Sequence, residues 1–239
     1  MTAEITLPVH ERFHAFQGEG IHIGRRAFFI RTYGCPVKCP FCDSAGTWHP
    51  AFAPKRSLLV TVDQLVKEAV ESRSEFVVLT GGEPLIQKEN ALAYLSSRLR
   101  QESILLHVET CGAYLRNSQL FDWITVSPKL AEPPAAAMLA YANEIKIIVE
   151  SEQSVGYWVS QVEDTVGKPI ARLANLQAIW LHPEWSRRED EKVLNAISRE
   201  VLARGGLFRA GWQLHKLYKV DALDARSAPN VPLGGVQPA

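Results

Sequence analysis

Short runs of apolar, β-branched and aromatic residues recur along the chain, and several of the stretches between them repeat apolar positions at helical spacing. The runs predict strands over Ala27–Tyr33, Phe76–Thr80, Ile104–Glu109, Trp123–Ser127, Ile145–Val149 and Ala178–Leu181. Between them, Val62–Ser72 places Val62, Leu65, Val66, Ala69 and Val70 at helical spacing; Asn90–Gln101 carries the same pattern, and Glu189–Ala203 repeats it more strongly. Asp63 and Asp190 stand where acids in an early turn help a helix start. This alternation implies crossover units and a mostly parallel sheet. Six strands are too few for a closed eight-stranded barrel, so the expected fold is α/β with an open or partial barrel. In such sheets ligands gather at the carboxyl ends of the strands. From Ala222 the chain is rich in Ala, Pro and Gly with little to bury, so residues 222–239 read as a mobile tail behind a single domain over 1–221. There is no internal repeat.

Composition narrows the function. A chain of 239 residues can build one sizeable core. Lys plus Arg equals Asp plus Glu at 26 each, so there is no basic field of the kind that captures nucleic acid. The first residues, MTAEITLPVHERFHAFQGEG, lack the layout of a signal peptide, and no apolar run approaches the roughly 20 residues of a membrane helix. A soluble cytoplasmic protein is expected. Three of the four cysteines lie within eight residues, in a chain expected to occupy a reducing compartment, so metal or cluster ligation is a better reading than disulfides.

Those three cysteines stand in RTYGCPVKCPFCDSAGTW, Arg31 to Trp48, spaced C-x3-C-x2-C. A structural zinc site takes four protein ligands, whereas a cubane cluster held by three thiolates leaves one iron open. Two readings follow: a cluster on Cys35, Cys39 and Cys42, or zinc on the same cysteines with a fourth ligand such as His49. Phe41, before the third cysteine, can shield a cluster or pack on adenine. TGGEP, Thr80 to Pro84, ends the second predicted strand in a turn whose two glycines expose backbone polar groups to a small charged ligand. ETCG at Glu109–Gly112 and SPK at Ser127–Lys129 end two further strands with polar groups. Lys129 can pair a carboxylate, with Ser127 hydrogen-bonding near it.

The spacing, with its aromatic before the last cysteine and the Gly-Gly-Glu turn, resembles the radical S-adenosylmethionine (SAM) superfamily. The resemblance implies a modified, incomplete (β/α)6-type barrel with mostly parallel strands and a 4Fe-4S cluster on Cys35, Cys39 and Cys42. It also implies that SAM chelates the open iron and is cleaved to a 5'-deoxyadenosyl radical, which abstracts the hydrogen, so no protein side chain is expected to be catalytic. Phe41, Gly81, Gly82, Glu83, Glu109, Ser127 and Lys129 are then the expected SAM-binding residues.

Upstream, FQGEGIHIGRRAFFIR sets Gln17–Gly20 in a loop and Arg31 at the end of the first predicted strand. A carboxylate and a guanidinium near one cavity suit a substrate with a guanidine-like edge and an acid group. With the Asp43-Ser44 pair and Gln213–Lys216 (Q-L-H-K), these residues resemble the 7-carboxy-7-deazaguanine synthase branch, over roughly residues 10 to 219. That resemblance implies ring contraction of 6-carboxy-5,6,7,8-tetrahydropterin to 7-carboxy-7-deazaguanine with loss of ammonia. It implies Glu19 on the amino-pyrimidine edge, Arg31 on the carboxylate, and Gln17, Thr80, Gln213 and His215 completing the pocket. It further implies Mg2+ on the Ser44 hydroxyl, a homodimer, and a flavodoxin or ferredoxin as electron donor.

Some residues fall outside the pattern. Cys111, where the branch often has Asn, reads as a small, half-buried residue, and Asp221 as a solvated carboxylate. His14, His22, His49, His107 and His182 read as structural, and Trp48, Trp180, Trp185 and Trp212 as packing at a core or dimer surface. A glycyl-radical-activating enzyme is the nearest rival, but it predicts neither the QGEG loop nor the Q-x-H-K segment. A zinc-binding module leaves TGGEP and SPK without a role.

Overall fold

The computed structural model describes residues 4–52 and 59–227. Among these residues nine strands form one sheet: β1 (Thr6–Phe16), β2 (Arg26–Thr32), β3 (Leu59–Thr61), β4 (Phe76–Gly81), β5 (Leu105–Thr110), β6 (Trp123–Val126), β7 (Glu144–Val149), β8 (Ala178–Pro183) and β9 (Phe208–Ala210). Their order is β3-β1-β2-β4-β5-β6-β7-β8-β9. From β2 to β9 every neighbouring pair is parallel; β1 pairs antiparallel with both β2 and β3. The helices are α1 (Val62–Glu71), α2 (Glu89–Gln101), α3 (Ala136–Tyr141), α4 (Ser154–Val166), α5 (Glu191–Arg204) and α6 (Leu214–Tyr218). Among the described residues no helix is long and apolar enough to cross a membrane.

The six expected strands are β2 and β4 to β8, and the three expected helices are α1, α2 and α5. Thr61 caps α1 by accepting from the Gln64 amide at 3.2 Å, with Asp63 in the first turn. Asp190 is itself the cap of α5, accepting from the Lys192 amide at 3.0 Å. The pattern did not reveal β1, because TLPVHERFHAF breaks its apolar alternation with His, Glu and Arg. The fold buries these by pairing them: Arg12 donates to Glu68 at 2.9 and 3.0 Å, and Glu11 meets Arg31 at 2.8 Å. The edge strands β3 and β9 are three residues each, too short for a periodic signal. In α4 the Gly and Val content masks a helical stripe, Val155, Trp158, Val159 and Val162, that is fully or largely buried.

Alternation along each strand builds the site. One face of the parallel strands, including Phe28, Ile30, Val77, Leu79, Leu106 and Ile147, packs with Leu65, Leu92, Leu95, Val159 and Ile197 of the helices in the main core. Each such side chain contributes about 1.5–3 kcal/mol on burial. The opposite face carries Ala27, Phe29, Phe76 and Val78, which with Phe13 of β1 form a smaller cluster; the rings of Phe13 and Phe29 stack at 5.2 Å. Further along that inner face the residues turn polar. Arg31 lies opposite Thr80 in register, and these two line a cavity with Glu109 and Lys146.

The expected tail begins in ordered chain. Residues Val220–Leu223 form a turn of 3-10 helix, Asp224 accepts from the His14 amide at 2.9 Å, and Arg226 reaches Glu68 at 3.1 Å. Residues 228–239 of that expectation lie outside the described residues.

Candidate active site

The cavity opens at the carboxyl ends of β2, β4, β5, β7 and β8, and every residue named from the sequence as a cluster, SAM, magnesium or substrate ligand lies on its wall. The cysteine loop follows β2. It is held by the Gly34 amide donating to Thr47 at 2.8 Å and the Cys42 amide to Cys39 at 3.1 Å. Cys35, Cys39 and Cys42 are free thiols and half-buried, and Phe41 lines the same wall. Trp48, expected as packing, instead donates its indole N–H to the Cys42 Sγ at 3.3 Å and borders the cavity, as does Trp185. Burial pushes the Cys39 thiol up to about 11, so a cationic centre is needed to hold it as thiolate.

The donor set fits a cluster. Among the described residues no three His, Cys, Asp or Glu side chains are gathered tightly enough for a single ion. Three thiols nevertheless share one wall, as a larger group with an open corner requires. His49, the alternative fourth zinc ligand, accepts from the Ala51 amide at 3.2 Å and packs on Trp48.

The Gly-Gly-Glu turn is locked to the cysteine loop. A Cβ on Gly82 would lie 2.1 Å from the Gly34 carbonyl oxygen, and one on Gly81, at φ +112°, 2.4 Å from the Thr32 nitrogen. That closeness lets the Gly82 and Glu83 amides donate to Thr32 and Gly34 at 3.0 and 2.9 Å. Glu83 is almost fully buried, and it accepts from the Leu85 and Cys111 amides at 2.9 Å and from the Thr110 hydroxyl at 2.7 Å. Cys111 is thus buried at the end of β5, beside Glu83 on the cavity wall. Lys129 donates to the Ser127 carbonyl at 3.0 Å and also to its hydroxyl.

On the same wall a chain of polar side chains joins distant segments. Gln17 and Thr80 both donate to Glu109, at 3.0 and 3.1 Å. Gln213 donates to Glu19 at 2.7 Å, and Lys216 to Asp43 at 2.7 Å. His215 packs over Gly18, where a Cβ would meet its ring at 2.1 Å. Lys146 forms an ion pair with Glu19. Burial alone would raise the Glu19 carboxyl, but the Lys146 ammonium together with His182 and His215 outweighs it and holds the group well below the carboxylate range. Lys146 was missed in the sequence; the available signal was a pair of charged residues at alternate positions in E-I-K-I-I-V. Asp221, read as solvated, lies instead on the wall at 3.5 Å from Arg31, whose other face meets the buried Glu11. Ser44 stands on the wall with its hydroxyl 3.9 Å from the Cys42 sulfur.

Residues 29–133 match the radical SAM superfamily. A 7-carboxy-7-deazaguanine synthase of Synechocystis sp. is 37% identical over 212 residues, 89% of this chain and 92% of that protein. Another, from Pyrobaculum aerophilum, is 38% identical over 224 residues, 90% and 96% of the two chains. The crystal structure of QueE from Escherichia coli matches with a TM-score of 0.70 at 28% identity, covering 88% of this chain and 95% of that one. The nine-stranded, mostly parallel sheet is accordingly an incomplete barrel of the radical SAM type, which implies SAM and a 4Fe-4S cluster as cofactors. The chain belongs to the 7-carboxy-7-deazaguanine synthases, radical SAM enzymes of 7-deazapurine biosynthesis.

Proposed function

We propose that the chain converts 6-carboxy-5,6,7,8-tetrahydropterin to 7-carboxy-7-deazaguanine and ammonia in the cavity at the carboxyl ends of its parallel strands. The observation that carries the reading is the make-up of that cavity's wall, which brings three thiols and the Gly-Gly-Glu turn together with the Glu19 carboxylate and the Arg31 guanidinium. Cys35, Cys39 and Cys42 would hold the cluster, which with SAM bound would supply a radical able to remove hydrogen from the carbon bearing the substrate carboxylate. The Gly81–Glu83 turn, Phe41, Glu109, Ser127 and Lys129 hold SAM. Glu83, with its carboxylate engaged by three donors, acts by fixing the turn.

Glu19 accepts from the amino-pyrimidine edge of the pterin. Arg31, oriented from behind by Glu11, takes the substrate carboxylate in the position Asp221 now borders. Gln17 and Thr80 fix the Glu109 carboxylate, and Gln213 and His215 close the pocket over the QGEG loop. Ser44 would offer its hydroxyl to Mg2+, a hard cation that favours oxygen ligands and would supply charge stabilisation beside the substrate. The enzyme works as a cytoplasmic homodimer reduced by a flavodoxin or ferredoxin; the balanced charge supports a small-molecule rather than nucleic-acid substrate.

Anaerobic calorimetry of 6-carboxytetrahydropterin with the reconstituted, SAM-loaded protein tests this assignment. Glu19→Gln and Arg31→Lys are each expected to weaken pterin binding by about 10–100-fold, the worth of one charged hydrogen bond, while SAM affinity is unchanged. Unchanged pterin affinity in both variants would overturn it.

A further inference from the structure

The Lys146–Glu19 pair presents a pattern of donors and acceptors that is incomplete without a ligand. An ionised carboxylate offers about four acceptor sites, two on each oxygen. Among the described residues, Gln213 donates to one oxygen of Glu19 and Lys146 to the other. One site on each oxygen is left, which is the arrangement that receives two adjacent N–H groups side by side. Lys146 carries three N–H donors, and among the described residues Glu19 is its one hydrogen-bond partner. The side chain is largely buried, and Lys146 lies on the cavity wall. A buried ion pair adds little stability over an apolar pair of similar size, so stability does not explain its presence on an inner strand face.

We propose that Lys146 is a specificity-determining residue that donates to the carbonyl oxygen of a 2-amino-4-oxopyrimidine edge, beside Glu19, which accepts from that edge's two N–H groups. This rests on the pterin reading above. Two acceptors followed by a donor complement an amino group, a ring N–H and a carbonyl in that order. An edge with an amino group in place of the carbonyl would set N–H against ammonium. A site built to pair a buried polar group rejects a ligand that leaves the group unpaired.

The test is anaerobic binding of 6-carboxytetrahydropterin and its 2,4-diamino counterpart to the cluster-reconstituted, SAM-loaded protein. The wild type is expected to favour the 4-oxo compound by about 100-fold or more. In Lys146→Met that preference collapses to within a few-fold through loss of affinity for the 4-oxo compound, while cluster absorbance and SAM binding hold. Lys146→Gln, a neutral donor, restores part of the preference. A wild type that binds both compounds alike overturns the inference, as does a Met variant that keeps the preference. Should the Met variant not fold, the wild-type comparison and the Gln variant decide the matter. A wild type that binds neither compound removes the pterin reading itself, a result distinct from lost discrimination.

Discussion

His107 shows how a single residue couples this fold to pH. Its ring stacks on Phe76 at 4.2 Å and lies 4.7 Å from that of His22, on the inner floor of the sheet. Burial, aided by His22 and Arg25, pushes its pKa down to about 3. The unfolded chain binds this proton near pH 6.5, whereas the folded chain excludes it until about pH 3. Stability is therefore fully present above pH 6.5 and falls as pH drops through that window, by up to about 1.4 kcal/mol per unit. The thermal midpoint should fall between pH 7 and pH 5, and less steeply in His107→Phe; parallel curves would contradict this. At the same scale, Glu19, Arg31 and the cysteines were legible because they stand in motifs whose chemistry is local. Lys146 and Asp221 were not, since each gains its meaning from a partner more than a hundred residues away. Sequence spacing carries no record of such distances.

At the scale of elements, the parallel strands and long helices could be read because burial on one face imposes a period. The strand β1 could not, since its charged residues find their partners in β2, α1 and Ser227, far along the chain. Two predictions belong here. In Gly82→Ala the methyl group must displace the Gly34 carbonyl, so about 1–3 kcal/mol of stability should go, with cluster incorporation reduced. Full cluster absorbance and an unchanged melt would show that the turn and the cysteine loop are not coupled. Asp224→Ala removes the acceptor of the His14 amide and the partner of Arg226, an expected loss of about 1–2 kcal/mol. For a chain of this size the melting temperature should fall by about 2–4 °C per kcal/mol. No change would mean that residues 224–227 add nothing to the fold.

Over the whole molecule, one sheet does two tasks with its two faces. The outer face gathers the helices into the main core, and the inner face passes from aromatic floor to charged rim at the carboxyl ends of the strands. The cysteine loop and the Gly-Gly-Glu turn meet at that rim because parallel register brings Thr32 beside Gly81 and Arg31 beside Thr80. The alternation of strand and helix was enough to place the site at this edge. It did not reveal that the loop after β1 and the segment from Gln213 to Asp221 come together on the cavity wall, since the contacts that hold them there, Leu214 to Gly18 and Asp221 to Arg31, span most of the chain. The central claim is that this one cavity performs the pterin ring contraction. Its most direct test is mass spectrometry of reconstituted protein incubated anaerobically with SAM, Mg2+, a reductant and 6-carboxytetrahydropterin. The account predicts 7-carboxy-7-deazaguanine with an equivalent of ammonia, lost when Cys35, Cys39 or Cys42 becomes Ala. SAM cleavage to deoxyadenosine with the pterin left intact would contradict it.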